Sequence, residues 1–252
     1  MIPYLMPAGA ALNAKGKPGL DAAVMCGLTG NAGAVTAQTQ IKNPVCMAKA
    51  IMEQTPYVLL TGEGPEIIQR SRYRDTVPMD YFLTQHQLKK YFAYKHSKPK
   101  QKGKYIAAGY TEHDLKDTAG AVALDAYGNV AAAASAGGAP NCIPGRVSDS
   151  CIIGAGCYAS NQTCAISGTG DGEYLITGLT AHTISMMMEL TGCSLRAASR
   201  LVIAKYPADE CDAGIIGVDR EGNIAINFNS ERMLRAWIDT NNTRFCSLYN
   251  NH

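Results

Sequence analysis

The Asp117-Thr118 junction is where this sequence places chemistry most directly, because a charged stretch there meets an apolar, small-residue run, TAGAVALDAYGNVAAAASAGG. Thr118 has two readings. It is either an ordinary β-branched strand starter, or a hydroxyl that attacks the Asp117 carbonyl, splits the chain and gains its own α-amine as base. In the second reading one residue carries nucleophile and base together, since an α-amine with a pKa of about 7.7 to 8 accepts a proton at neutral pH. No histidine is then required. That suits a chain whose His86, His96, His113, His182 and His252 are scattered with no triad partner in view.

Two further clusters could serve such a nucleophile. Gly-Arg-Val-Ser-Asp at 145–149 sets Arg146 and Asp149 three apart in a glycine- and proline-flanked loop. It offers a guanidinium fork for a carboxylate and an acid for an ammonium, which suits a zwitterionic amino-acid head; the plainer alternative is a local surface ion pair. Ser167-Gly-Thr-Gly-Asp-Gly-Glu reads as a strand-to-helix turn whose backbone amides are free to point at an anion, with the Thr169 hydroxyl beside them.

The chain around these residues has 252 residues, 46% of them apolar and 17% charged, enough for one large core. A net charge of +2 gives no global case for nucleic acid or an anionic membrane. No window has the roughly 18 to 20 apolar residues of a spanning helix, and the first residues lack the basic region of a secretory signal. Nine cysteines without a CxxC pair read as reduced thiols of a cytoplasmic protein, mostly small core residues, and no metal or cofactor is expected. The sequons at Asn161 and Asn241 are then chance matches.

The elements that must position the chemistry follow from pattern. Asn43 to Gln54, with Pro44 near its start and apolar Val45, Ala48, Ile51 and Met52, predicts an amphipathic helix. TPYVLLTGEG predicts a short buried strand, and Glu66 to Tyr73 and Met79 to Tyr94 predict helices. Seven lysines between Lys89 and Lys104, with no acid, predict a solvated linker and a boundary near 95–115; interleaved Tyr91, Phe92, Tyr94 and Tyr105 would also suit a nucleic-acid strip.

Thr118 to Asp125 and Asn129 to Ala136 predict a hairpin turning at Ala126-Tyr127-Gly128. A strand and a helix from about Gly172 to Leu190, with Met186, Met187 and Met188 as core filler, come next. A helix capped by Ser194 and a hairpin turning at Asp-Arg-Glu-Gly (219–222) complete the pattern. Hairpin strands with helices imply a layered α+β architecture.

In their order these pieces resemble the plant-type L-asparaginase and isoaspartyl peptidase family of N-terminal-nucleophile (Ntn) hydrolases, threonine type, with glycosylasparaginase and taspase as relatives. The matching segments include LDAAVM (20–25), AGAVTAQTQIKNPVCMAKAIMEQTPYVLLTGEG (32–64), DTAGAVALDAYGNVAAA (117–133) and PGRVSDS (144–150). IIGAGCYA (152–159), SGTGDGEY (167–174) and GIIGVDREGNIAINFNSERMLRAW (214–237) extend the likeness nearly to the end.

The resemblance implies a four-layer αββα sandwich. It implies self-cleavage between Asp117 and Thr118 into an alpha subunit (1–117, with the basic linker at about 89–117) and a beta subunit (118–252) headed by the nucleophile Thr118. Arg146 would grip the substrate α-carboxylate and Asp149 its α-amine, Thr169 and Gly170 would form the oxyanion hole, and Gly172 would add a backbone contact. The substrate implied is a small molecule, L-asparagine or an isoaspartyl dipeptide, and the assembly a homodimer of alpha-beta pairs, without membrane or nucleic acid.

The sequence departs from the family in four respects. Ala136 stands where the family carries a second hydroxyl that contacts the nucleophile, and Ala134 also lacks one. Losing such a partner costs about 1 to 3 kcal/mol, or roughly tenfold to a hundredfold in rate. The family's opening strand and helix, with its sodium-binding loop, have no counterpart, and its Asn-Ala-Gly-x-Gly element remains only as Pro7-Ala-Gly-Ala-Ala. Cys26 replaces an aspartate. Ser148 replaces a glycine and is expected to crowd the loop that aims Arg146 and Asp149. Two readings stand: a threonine hydrolase of β-aspartyl amides, or a non-catalytic Ntn-fold protein that keeps the head-group pocket for binding.

Overall fold

The computed structural model describes residues 10–64, 76–95 and 118–249. The chain divides into two compact units, one of residues 1–24, 32–119 and 134–151, the other of 25–31, 120–133 and 152–252. Eleven described strands and five described α-helices give a mixed α+β fold. One sheet has the order β3-β2-β1-β5-β4, from β1 (Leu20–Cys26), β2 (Ala32–Gln38), β3 (Leu59–Thr61), β4 (Thr118–Leu124) and β5 (Val130–Ala136). Strands β1, β4 and β5 each contain residues of both units.

In the first unit, helix α1 (Pro44–Gln54) begins with proline at its first turn, where the missing N–H costs nothing. Its buried residues are Pro44, Met47, Ala48, Ala50 and Ile51, so the inward face turns away from the expected Val45 and Met52, which are half-buried. Gly33 decides this. A Cβ there would collide with the Ala48 carbonyl and the Met52 backbone, so the absence of a side chain lets α1 lie directly on β2. β2 and β3 pair in parallel, and β3 is largely exposed rather than buried.

The helix predicted over Met79 to Tyr94 is in two pieces, a 3-10 turn at Met79–Phe82 and helix α2 (Gln85–Lys95). Phe82, packed with Ala10 and Leu20, anchors the first piece. Of the lysine-rich stretch, residues 89–95 complete α2, with Lys90 and Tyr94 buried; the rest, with the predicted 66–73 helix and most of the 95–115 boundary, lies outside the described residues.

The second unit carries an antiparallel sheet of order β6-β7-β8-β9, from β6 (Cys157–Ala159), β7 (Cys164–Gly170), β8 (Ala213–Asp219) and β9 (Ile224–Phe228). Helices α3 (Gly172–Thr177), α4 (Thr180–Thr191) and α5 (Leu195–Ile203) follow β7. Ile184, Leu195, Ala198 and Val202 meet Ile166 and Ile215 in the core, with Met187 and Met188 packed at its margin. The Ser194 hydroxyl accepts from the Ala197 N–H (3.3 Å) and caps α5 as expected.

The single helix predicted from Gly172 to Leu190 is instead broken. Leu179 adopts a left-handed φ of 42°, and a Cβ at Gly178 would collide with the Tyr206 hydroxyl. That hydroxyl bonds Thr180 at the start of α4, so tertiary contact separates α3 from α4.

Three hairpin turns share one device. In DAYGN (125–129) the Asp125 carboxylate accepts from the backbone N–H of Tyr127 and Asn129 (2.8 Å each) and from the Asn129 side chain (2.9 Å), with Gly128 at φ 80°. DREGN (219–223) repeats the pattern through Asp219, Asn223 and Gly222 at φ 83°. DTNNT (239–243) joins β10 (Arg232–Ile238) to β11 (Arg244–Tyr249), with Asn242 at φ 62° in the glycine's place. The sequon residue Asn161 is committed to the fold: its Oδ1 accepts from Val130 N–H (3.0 Å) and its Nδ2 donates to Asn129 Oδ1 (2.9 Å).

Candidate active site

The residues singled out from sequence fall in both units. Thr118, Arg146 and Asp149 lie in the first, and Thr169, Gly170 and Gly172 in the second. Asp117 lies outside the described residues.

Thr118 is the first residue of β4, half-buried, at the edge of the five-stranded sheet. The β4–β5 hairpin closes where Asp125 N–H donates to the Asn129 carbonyl (2.9 Å). Counted outward from that bond, Thr118 and Ala136 each lie seven residues along the two neighbouring strands, and Ala136 is 4% exposed. Residues equally far from the turn of a regular hairpin are near neighbours, and the side chain at 136 is a methyl group. Ala134, fully buried, lies two residues back on the same face.

The loop after β5 carries Arg146 and Asp149. Gly145 takes a left-handed φ of 93°, and Arg146 N–H donates to the Ile143 carbonyl (3.0 Å) to close a turn. Asp149 opens a 3-10 turn (Asp149–Cys151) and is 2% exposed, while Arg146 is half-exposed. Ser148 occupies the position of the family's glycine without a left-handed φ, so the loop takes the side chain with no backbone strain there.

Sequence reasoning missed the residue on which this loop rests. Asp21, the second residue of β1 and 2% exposed, accepts from the Thr36 hydroxyl (2.7 Å) and the Ala37 N–H (2.9 Å) with Oδ1, and from the Ser148 N–H (2.8 Å) with Oδ2. The signal was a lone charge inside the apolar run LDAAVM. Cys151 Sγ donates to the Ser148 carbonyl (3.4 Å), and burial pushes that thiol's pKa up.

In the second unit the glycine-rich segment is strand to its end. Thr169 pairs with Gly214 and Gly170 with Ala213, so the expected open turn starts only at Asp171. Two of its amides are also already engaged: Gly168 N–H donates to the Gly156 carbonyl and Asp171 N–H to that of Asp212. Gly170 is required by its geometry, with φ 135° and a Cβ that would collide with the Asp212 carbonyl. Gly172 is buried at the first turn of α3.

The small side chains of β4 have a purpose here. Gly120 leaves its place to the Ser167 side chain of β7, whose Oγ a Cβ at 120 would strike.

Cys26, at the end of β1 where the family has an aspartate, is half-buried. Burial acts to raise its thiol pKa, but hydrogen bonds from the Thr29 side chain and the Thr29 and Leu28 backbone outweigh it and lower the pKa.

The family model described as asparaginase matches residues 6–247. The chain is 42% identical over 242 residues to an isoaspartyl peptidase of Salmonella typhimurium, covering 96% of this chain and 77% of that one. It is 41% identical over 235 residues to an isoaspartyl peptidase of Escherichia coli, covering 91% and 72%. To a plant-type L-asparaginase of Pyrobaculum calidifontis it is 37% identical over 225 residues, covering 88% and 73%. The chain belongs to the asparaginase family.

Proposed function

We propose that this protein is a threonine-dependent amidohydrolase that acts on L-asparagine, on β-aspartyl (isoaspartyl) dipeptides, or on both. The observation that carries the reading is that one unit holds Thr118, leading β4, and the loop with the buried Asp149 and the half-exposed Arg146. Both substrates present one head, an α-carboxylate for Arg146 and an α-ammonium for Asp149.

Cleavage between Asp117 and Thr118 frees the threonine amine. That amine takes the hydroxyl proton as Thr118 Oγ attacks the side-chain carbonyl, and it returns a proton to the departing ammonia or peptide amine. Water then attacks the β-aspartyl ester, releasing aspartate and restoring Thr118. Thr169 and Gly170 steady the oxyanion of both steps, and Gly172 adds a backbone contact to the head. The pieces, 1–117 and 118–252, form a four-layer αββα sandwich, and two alpha-beta pairs form the dimer. Nine free thiols fit a cytoplasmic setting; among the described residues no helix is long and apolar enough to cross a membrane.

Ala136 favours a second reading, a non-catalytic protein that binds the same head group, because it lacks the hydroxyl that the resemblance implies at this position. Turnover separates the two. The first predicts aspartate release from asparagine or an isoaspartyl dipeptide by the wild-type chain and none by Thr118→Ala. Aspartate binding without turnover by either protein would establish the second.

A further inference from the structure

We infer that Asp21 is a positioning residue for the head-group loop, holding Arg146 and Asp149 in register through the backbone of Ser148. The inference rests on the amidohydrolase reading and extends it to a residue that touches no substrate. A buried carboxylate is a costly way to fill space, since an apolar side chain would pack there without needing donors. What the carboxylate adds is the ability to hold N–H groups from distant parts of the chain.

Its two oxygens divide the work. Oδ1 takes the Thr36 hydroxyl and the Ala37 N–H of β2, 15 and 16 residues away, while Oδ2 takes the Ser148 N–H, 127 residues away. The Ser135 hydroxyl donates to the Asp21 carbonyl (3.2 Å), tying β5 to the same point. On one side of Ser148 the loop is an exposed Ile143-Pro144-Gly145 turn, and on the other a 3-10 turn opens at Asp149. The bond to Asp21 therefore falls between the two residues that hold the head group, where a small displacement moves both.

The asymmetry gives a selective test. In Asp21→Asn the amide oxygen keeps the two β2 donors, and the amide nitrogen faces the Ser148 N–H, donor against donor. Thr36→Val removes only the strand-side hydroxyl. Ser148→Pro deletes the loop N–H and leaves Asp21 intact, so it reads the same bond from its other end.

Steady-state kinetics on processed protein, with hydrogen exchange over residues 144–151, tests the inference. Asp21→Asn and Ser148→Pro should each raise KM about tenfold or more, by the same factor for asparagine and an isoaspartyl dipeptide, with kcat within about threefold. Both should speed exchange in the loop. Thr36→Val should lower Tm while KM stays within about twofold.

The inference is overturned if a folded Asp21→Asn or Ser148→Pro keeps wild-type KM or wild-type loop exchange, or if Thr36→Val raises KM as much as they do. Failure of the wild-type protein to turn over either substrate would sink the amidohydrolase reading instead. Loop exchange would still decide whether Asp21 holds Ser148.

Discussion

At the scale of single residues, the contrast between Thr118 and Ala136 sets the expected activity. A hydroxyl beside the proposed nucleophile, Thr118, can orient it and share its proton; a methyl cannot. Ala136→Ser should therefore raise kcat about tenfold or more with little change in KM, in line with one restored hydrogen bond in the transition state. An unchanged kcat would mean that the site compensates by another route. The thiols provide a separate check. Cys26, with a lowered pKa, and the exposed Cys246 should alkylate first in the native protein, and Cys157 and Cys164, buried with pKa values pushed up to about 12, should react only on unfolding. Peptide mapping after brief iodoacetamide treatment reads the order.

At the scale of elements, how much was legible in the sequence depended on where the determining contact lay. The β4–β5 and β8–β9 hairpins were legible to within a residue because Asp, Gly and Asn of each turn sit within five positions of one another. The start of α1 at Pro44 and the Ser194 cap were legible for the same local reason. The break between α3 and α4 was not, because Tyr206, 28 residues beyond Gly178, imposes it. Neither was Asp21, whose partners lie 15 to 127 residues away. The β1–β2 hairpin escaped notice because its Ala- and Gly-rich strands lack the β-branched density that marks a strand. Of the candidate site, the residue types and their order were legible; the strand character of Thr169-Gly170 and the support beneath Ser148 were not.

The same contacts predict fragility. Gly170→Ala forces a side chain into a left-handed backbone and against the Asp212 carbonyl, and should cost at least about 2 kcal/mol in urea unfolding. Gly145→Ala, strained in φ but with open space around its Cβ, should cost clearly less. Equal losses would contradict the steric account.

At the scale of the whole molecule, burial of thiols predicts how stability responds to pH. Cys157 and Cys164 hold their protons in the folded state up to about pH 12, whereas the same groups ionise near 9 when unfolded. Folding thus binds the protons more tightly. The contribution is complete below pH 9 and lost as pH rises towards 12. Urea midpoints at pH 8 and pH 10 should differ accordingly, and Cys157→Ala should reduce the difference. With a net charge of only +2, the whole molecule offers no general attraction for polyanions. Its proposed chemistry rests instead on one chain break that converts an internal threonine into an N-terminal one.

The intact mass of the purified full-length chain after prolonged incubation tests that claim most directly. The account predicts that the 26.8 kDa chain gives way to two pieces of 117 and 135 residues, the second beginning with Thr118, and that Thr118→Ala stays whole. A wild-type chain that remains folded and uncleaved would contradict it.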